Sequence, residues 1–227
     1  MGESVVSGLV RSWVGGWVVS RGAAEPVDEP WGWTVDVGQA AQVARHVLPE
    51  PTEPDEPTEP DVRKLVAATT APGTWLKVFT DDDTVRPWLG PGWRFDVPGY
   101  LMTVPLAAGA PVVPAGYTLT TWHRGGVVRA LVRTEAGHFA ARGQLGLAGA
   151  VAVVADQIET APAHRRRGLG SVVMRALEDA GHRDGAETGF LVATPEGKAL
   201  YSTLGWTLRA TMASLYYAPE PAESAEV

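Results

Sequence analysis

Apolar and polar positions alternate most regularly in the second half of the chain. Past the Gly/Pro-rich stretch "AAGAPVVPAG" at 107–116, "GYTLTTWH" reads as a strand, "GGVVRALVR" (125–133) as a short helix, and "HFAARGQLGLAG" with "AVAVVADQIETA" as a hairpin. From Gly168 the period lengthens. Val172, Val173, Leu177 and Ala180 fall on one side of a helix, with Glu178 and Asp179 toward the other. A strand "GFLVAT", a helix "PEGKALYSTL" and a long alternating strand "WTLRATMASLYYA" complete the pattern. Strands outnumber helices and several are adjacent in sequence, which predicts a mixed sheet flanked by helices.

The first half repeats part of this layout. Residues 73–106 and 188–219 each give a β-rich run, an acidic turn, a short amphipathic helix ending in Leu-Gly, a Gly-Trp and a longer alternating strand. "DVRKLVAATTAP" upstream would match the helix "GSVVMRALEDAG". Two related α/β units in tandem account for this, and so does convergence on common strand-helix-strand grammar. The twelve residues 50–61, "EPTEPDEPTEPD", are one hexapeptide written twice. Proline removes donors and like charges repel, so an extended solvated loop is expected there, and a frayed tail at "APEPAESAEV". The apolar N-terminal segment lacks a basic leader and carries Arg11, with glycines and serines breaking the run. It is expected to pack through Val5, Val6, Leu9, Trp13 and Trp17 in a cytoplasmic protein that does not enter a membrane.

Composition narrows the chemistry. The net charge of -7 gives no general attraction to nucleic acid, so nucleic-acid binding is not expected. With no cysteine and five histidines (His46, His123, His138, His164 and His182) out of ligand spacing, no metal centre is expected either. Against this acidic background "HRRRGLGSVVMRAL", residues 164–177, is a local exception. A helix N-terminus exposes unpaired N–H groups and the positive end of its dipole, glycines allow close approach, and arginines add donors. The stretch suits a pyrophosphate. It lacks the Gly-Lys-Ser/Thr of a P-loop and the third glycine of the dinucleotide fingerprint.

Order and spacing add to this. "IETAPAHRRRGLGSVVMRALEDAG", then "GFLVAT", then "GKALYSTLGW", resembles the GNAT superfamily of acetyl-CoA-dependent N-acetyltransferases across residues 117–219. The resemblance implies an α/β (α+β mixed) fold with a central mixed, mostly antiparallel sheet flanked by helices. It assigns residues 114–219 to the acetyltransferase domain and leaves 1–110 as a smaller, related lobe, a degenerate GNAT-like one, with 220–227 as a tail. It also implies that Arg165, Arg166, Arg167, Gly168, Leu169, Gly170 and Ser171 wrap a coenzyme pyrophosphate. The strand edge at Ile158, Glu159 and Thr160 would pair with the pantetheine arm. Thr194 and Gly197 depart from the asparagine and alanine common in the family, which leaves the contact of Thr194 with the pantetheine open and suggests a helix cap instead.

For acetyl transfer, Tyr201 matches the position where many family members hold the acid that serves the departing thiolate. Presenting a lysine-like amine neutral at pH 7 costs roughly 4.6 kcal/mol, so a base helps. Asp156 shares strand parity with Ile158 and Thr160 and is the first candidate, with Glu159 in reserve. The reading is an acetyl-CoA-dependent N-acetyltransferase acting on a small-molecule primary amine, with Trp31, Trp33, Trp75 and Trp93 available as pocket walls. The alternatives are a protein lysine or N-terminal acetyltransferase and a non-catalytic acyl-CoA-binding regulatory module. The sequence does not set the oligomeric state, although the alternating end of "WTLRATMASLYYA" could pair across a homodimer.

Overall fold

The N-terminal apolar run folds as a helix. In the computed structural model, which describes residues 5–49 and 58–220, α1 (Val5–Arg21) buries Val10, Trp13, Val14, Trp17 and Val18. Their i, i+3, i+4, i+7, i+8 spacing makes one continuous stripe. Val5, expected to pack, is instead 82% exposed in the first turn. Three antiparallel strands follow, β1 (Val27–Glu29), β2 (Gly32–Gln39) and β3 (Gln42–Leu48). α2 (Thr58–Ala68) then crosses over to β4 (Thr74–Val78), parallel to β3. The expected loop 50–61 is thus cut short. Residues 58–61 begin α2, where Pro60 sits in the first turn and needs no N–H partner, and Glu59 accepts from Arg63 at 2.7 Å. The rest of that loop, 50–57, lies outside the described residues, as does the tail from 221.

α3 (Asp82–Val85), β5 (Trp93–Phe95) and β6 (Gly99–Pro105) lead into the antiparallel run β7 (Tyr117–Arg124), β8 (Val127–Thr134), β9 (Phe139–Leu147) and β10 (Ala152–Thr160). α4 (Leu169–Arg183), β11 (Thr188–Ala193), α5 (Pro195–Thr203) and β12 (Thr207–Tyr217) close the chain. The helix expected at 125–133 is a strand. Gly125 and Gly126, both at positive φ, form a two-residue hairpin turn, and beyond it Val128, Ala130 and Val132 alternate inward with a period of two. Among the described residues no helix is long and apolar enough to cross a membrane.

Two compact units share the chain, and neither is continuous. The first takes residues up to Ser7, Ala24–Gly99 and the chain from Ala210; the second takes Gly8–Ala23 and Tyr100–Arg209. A single cut near 107–116 therefore does not describe the division. In the first unit β1–β2–β3–β4–β12 form a sheet, with β5 on the far side of β12. Leu48, Leu76, Val85, Trp93 and Leu215 belong to its core. Residues 215 and 216 of β12 have β4 on one side and β5 on the other. The strand end that could pair across a dimer is already paired within the chain.

The second unit holds the order β6–β11–β10–β9–β8–β7, antiparallel except for the parallel pair β10–β11. This is a mixed, largely antiparallel sheet flanked by helices. α4 packs on one face, with Val173, Met174 and Leu177 in the cluster that includes Val128, Leu145 and Val153. α1 lies on the other. A Cβ at Gly146 would stand 2.1 Å from the carbonyl oxygen of Gly16, so only glycine lets the helix come this close.

Candidate active site

The central feature of the second unit is a parting of strands. β10 and β11 pair over Ala152–Val154 and Thr188–Phe190 only, although β10 runs on to Thr160 and β11 to Ala193. Main-chain groups of residues 155–160 are left facing an open cleft on that side. A bulge assists. Asp156 pairs with Gln144 and Glu159 with Arg142, so three steps on β10 match two on β9, and Gln157 takes up the slack at φ 53°. The extra residue breaks the parity on which Asp156, Ile158 and Thr160 were expected to share a face. All three, with Gln157 and Glu159, line a cavity of about 890 Å³.

The arginine and glycine turn closes one end of that cavity. Arg165, Arg166, Gly168, Leu169, Gly170 and Ser171 all border it. Gly168, the residue before α4, sits at φ 76° with no side-chain cap on the helix, and a Cβ built there meets nothing within 4 Å. The first N–H groups of α4 thus open onto space that polar or anionic groups can fill. Arg167, expected in the same set, is not on the cavity. Its guanidinium donates to the Tyr117 hydroxyl at 3.0 Å, and that hydroxyl also meets His164 Nδ1 at 3.0 Å, a clasp that ties the turn to β7. The reason is local. Arg166 is left-handed at φ 61°, and this reverses the chain before residue 167.

α5 forms a further wall. Thr194 caps it, its hydroxyl accepting from the Gly197 N–H at 3.2 Å, with Pro195 at the first helical position. Two turns on, Tyr201 is buried yet borders the cavity. Burial, and secondarily the charge of Asp156, push its phenol up to about 12. A Cβ at Gly197 would lie 3.0 Å from the Tyr201 ring, so the glycine makes room for the tyrosine.

The two carboxylates differ. Asp156 accepts from Arg21 at both oxygens and from the Ser20 hydroxyl at 2.9 Å, with Gln144 bonded in turn to Ser20. Its oxygens are occupied, which removes the ground for ranking it first as a base. Glu159 gives one oxygen to Arg142 at 2.9 Å and is half exposed. Ser20 and Arg21 went unread in the sequence: they lie about 135 residues from Asp156, and nothing local marks them. His123 and His138, possible proton shuttles by type, are on neither wall of the cavity, and His123 pairs with Asp184.

Residues 115–206 match the model of the Acetyltransferase (GNAT) family. No curated protein matches the sequence. Among solved structures, the chain is similar to a GCN5-related N-acetyltransferase from Kribbella flavida, at 17% identity and TM-score 0.68 over 99% of each chain. It is similar to a GCN5-related N-acetyltransferase-like protein from Streptococcus suis 89/1591, at 14% identity and TM-score 0.58 over 95% of this chain and 100% of that one. A tandem GNAT protein from the clavulanic acid biosynthesis pathway matches at 14% identity and TM-score 0.54, over 79% of this chain and 76% of that one.

Proposed function

Taking as premise that residues 115–206 are a GNAT acetyltransferase domain, we propose that the protein transfers the acetyl group of acetyl-CoA to the primary amine of a small molecule. The observation that carries this is the open edge of β10, which leads to a turn rich in free amides and arginines. An extended pantetheine arm pairs with the main chain of residues 155–160 as an added strand would. The pyrophosphate sits at the N-terminus of α4 between Arg165, Arg166 and the N–H groups of Leu169, Gly170 and Ser171. Thr194, committed to its cap, supports α5 and contacts the arm only secondarily.

The amine nitrogen attacks the thioester carbonyl, the C–N bond forms, the C–S bond breaks, and nitrogen gives up a proton. A phenol at about 12 is a weaker acid than a thiol at about 8.5, so full transfer from Tyr201 to the thiolate is uphill by roughly 5 kcal/mol. Tyr201 therefore stabilises the leaving thiolate by donating a hydrogen bond, and the thiolate takes its final proton from solvent. Glu159, half exposed and with one oxygen uncommitted, receives the amine's proton through water, while Asp156 holds Arg21 in place. A second hollow of about 480 Å³ on the other side of β10 has a volume suited to a small acceptor.

The test is a melting curve with acetyl-CoA joined to a thiol-release assay across an amine panel. A hundredfold excess over Kd stabilises by about 2.7 kcal/mol, a shift of several degrees. Gly168→Asp and Gly168→Asn both accept the left-handed backbone tolerably, but only Asp puts a negative charge in the cradle. Asp is expected to weaken coenzyme binding at least tenfold relative to Asn. Equal affinities would remove the phosphate from this turn.

A further inference from the structure

The second hollow belongs to the second unit and carries its own chemistry. Gln157 and Glu159 line both it and the coenzyme cavity, so the bulge of β10 is the wall the two share. The remaining wall is the face of β8 and β9 turned away from α4. Trp122, Leu131 and Phe139 supply apolar surface, and both aromatic residues are exposed. Two cations stand among them. Arg142 is neutralised by Glu159, whereas Arg129, half-buried, has no ion-pair partner among the described residues. The hollow thus holds one net positive charge within a protein whose overall charge is -7.

Register fixes where that charge lies. Trp122, Arg129, Gln144 and Asp156 form one cross-strand row, with Leu131, Arg142 and Glu159 in the next. Arg129 is two strands from β10, about 10 Å at ~4.8 Å per strand. An amine bound in the hollow has to pass Gln157 and Glu159, the residues the two cavities share, to reach the thioester. A group that meets Arg129 is therefore separated from the amine by several bonds, and the stem between them runs along Trp122 and Phe139.

Resting on the N-acetyltransferase reading, we infer that the acceptor is an amine whose apolar body ends in a carboxylate: an ω-amino acid rather than a simple alkylamine or an α-amino acid such as glycine. The carboxylate takes a charge-assisted, two-point hydrogen bond from Arg129, whose planar guanidinium matches it. The methylene stem covers the exposed aromatic faces.

The experiment compares kcat/KM for 6-aminohexanoate, hexylamine and glycine, with acetyl-CoA binding followed by melting curves on the same samples. 6-Aminohexanoate is expected to exceed each of the other two by tenfold or more, and Arg129→Gln to reduce its advantage over hexylamine to within about twofold. A second variant, Arg129→Lys, keeps the charge without the fork and is expected to fall between. Hexylamine or glycine used as well as 6-aminohexanoate, or a preference that survives Arg129→Gln, overturns the inference. A clear acetyl-CoA shift with none of the three amines turned over overturns it too, while the coenzyme site stands. If acetyl-CoA fails to shift the wild-type melt, the proposed function falls and takes this inference with it.

Discussion

Tyr201 is held where its proton does not leave. Burial and the neighbouring Asp156 charge raise the phenol to about 12, so the hydroxyl stays a donor across the neutral and mildly alkaline range. In Tyr201→Phe the coenzyme binding is expected to hold within a few-fold, while kcat drops by about 10². The wild-type rate should rise with pH as the acceptor amine deprotonates, with no alkaline fall from Tyr201 below pH 10. Stability follows the same sign. A folded pKa above the unfolded value of about 10 gives stability that is complete below pH 10 and is lost as pH climbs from 10 toward 12, about 2.7 kcal/mol for two units. Melting temperatures taken from pH 9 to 11.5 should fall more steeply in wild type than in Tyr201→Phe. Parallel curves would mean that the phenol ionises as easily folded as unfolded.

At the level of strands, the clearest strain on stability lies in the first unit, at the pairing of β4 with β12. Lys77 and Ser214 are register partners, the ammonium nitrogen donates to the serine hydroxyl, and both side chains are buried. Burial above all, then the charge of Arg45, hold the Lys77 pKa well below the usual lysine range against the opposing pull of Asp96. A folded-state pKa below the unfolded one means that stability is full above about pH 10.5 and is lost as pH falls toward the folded value. Lys77→Met removes that penalty but strands the Ser214 hydroxyl, so the double variant Lys77→Met/Ser214→Ala should be the most stable of the set at pH 7. Its advantage should shrink by pH 10.5, as followed by urea denaturation. No gain at pH 7 would show that the amine finds better compensation than its surroundings indicate.

Strand-level reading also marks how far local pattern reaches. The turn from Arg165 to Ser171, the cap at Thr194 and the position of Tyr201 were legible because short-range spacing makes them: a glycine before a helix, a threonine before a proline, an aromatic two turns on. β8 was misread as helix because "VVRALVR" offers apolar residues at both periods, and only the Gly125–Gly126 turn decides between them. The bulge at Gln157 was not legible at all. It exists in the count of residues opposite β9, which a single strand does not contain.

For the whole molecule, chain order and structural grouping disagree, and this sets what a fragment can do. Residues 100–209 carry every strand of the second unit's sheet and the entire cavity, yet the unit also takes Gly8–Ala23. Sequence could show that α1 was apolar, not that its carbonyl at Gly16 would rest on Gly146 or that Ser20 and Arg21 would hold Asp156. Five of its side chains, Val10, Trp13, Val14, Trp17 and Val18, are at most 4% exposed. At about 1.5–3 kcal/mol each, their burial amounts to about 10 kcal/mol, comparable with the whole stability of an ordinary domain. A fragment of residues 100–209 alone is therefore expected to lack a cooperative thermal transition, although it contains the family-matched segment. Adding a peptide of residues 5–23 in excess should restore the transition in a concentration-dependent way, since it binds the folded form only. Arg21→Ala in that peptide separates packing from charge: it should still restore folding while leaving Asp156 without its two-point partner. If the fragment melts cooperatively without the peptide, the helix is an ornament of the second unit and its contacts with Val154 and Gly146 are not what hold the β10 cleft in shape.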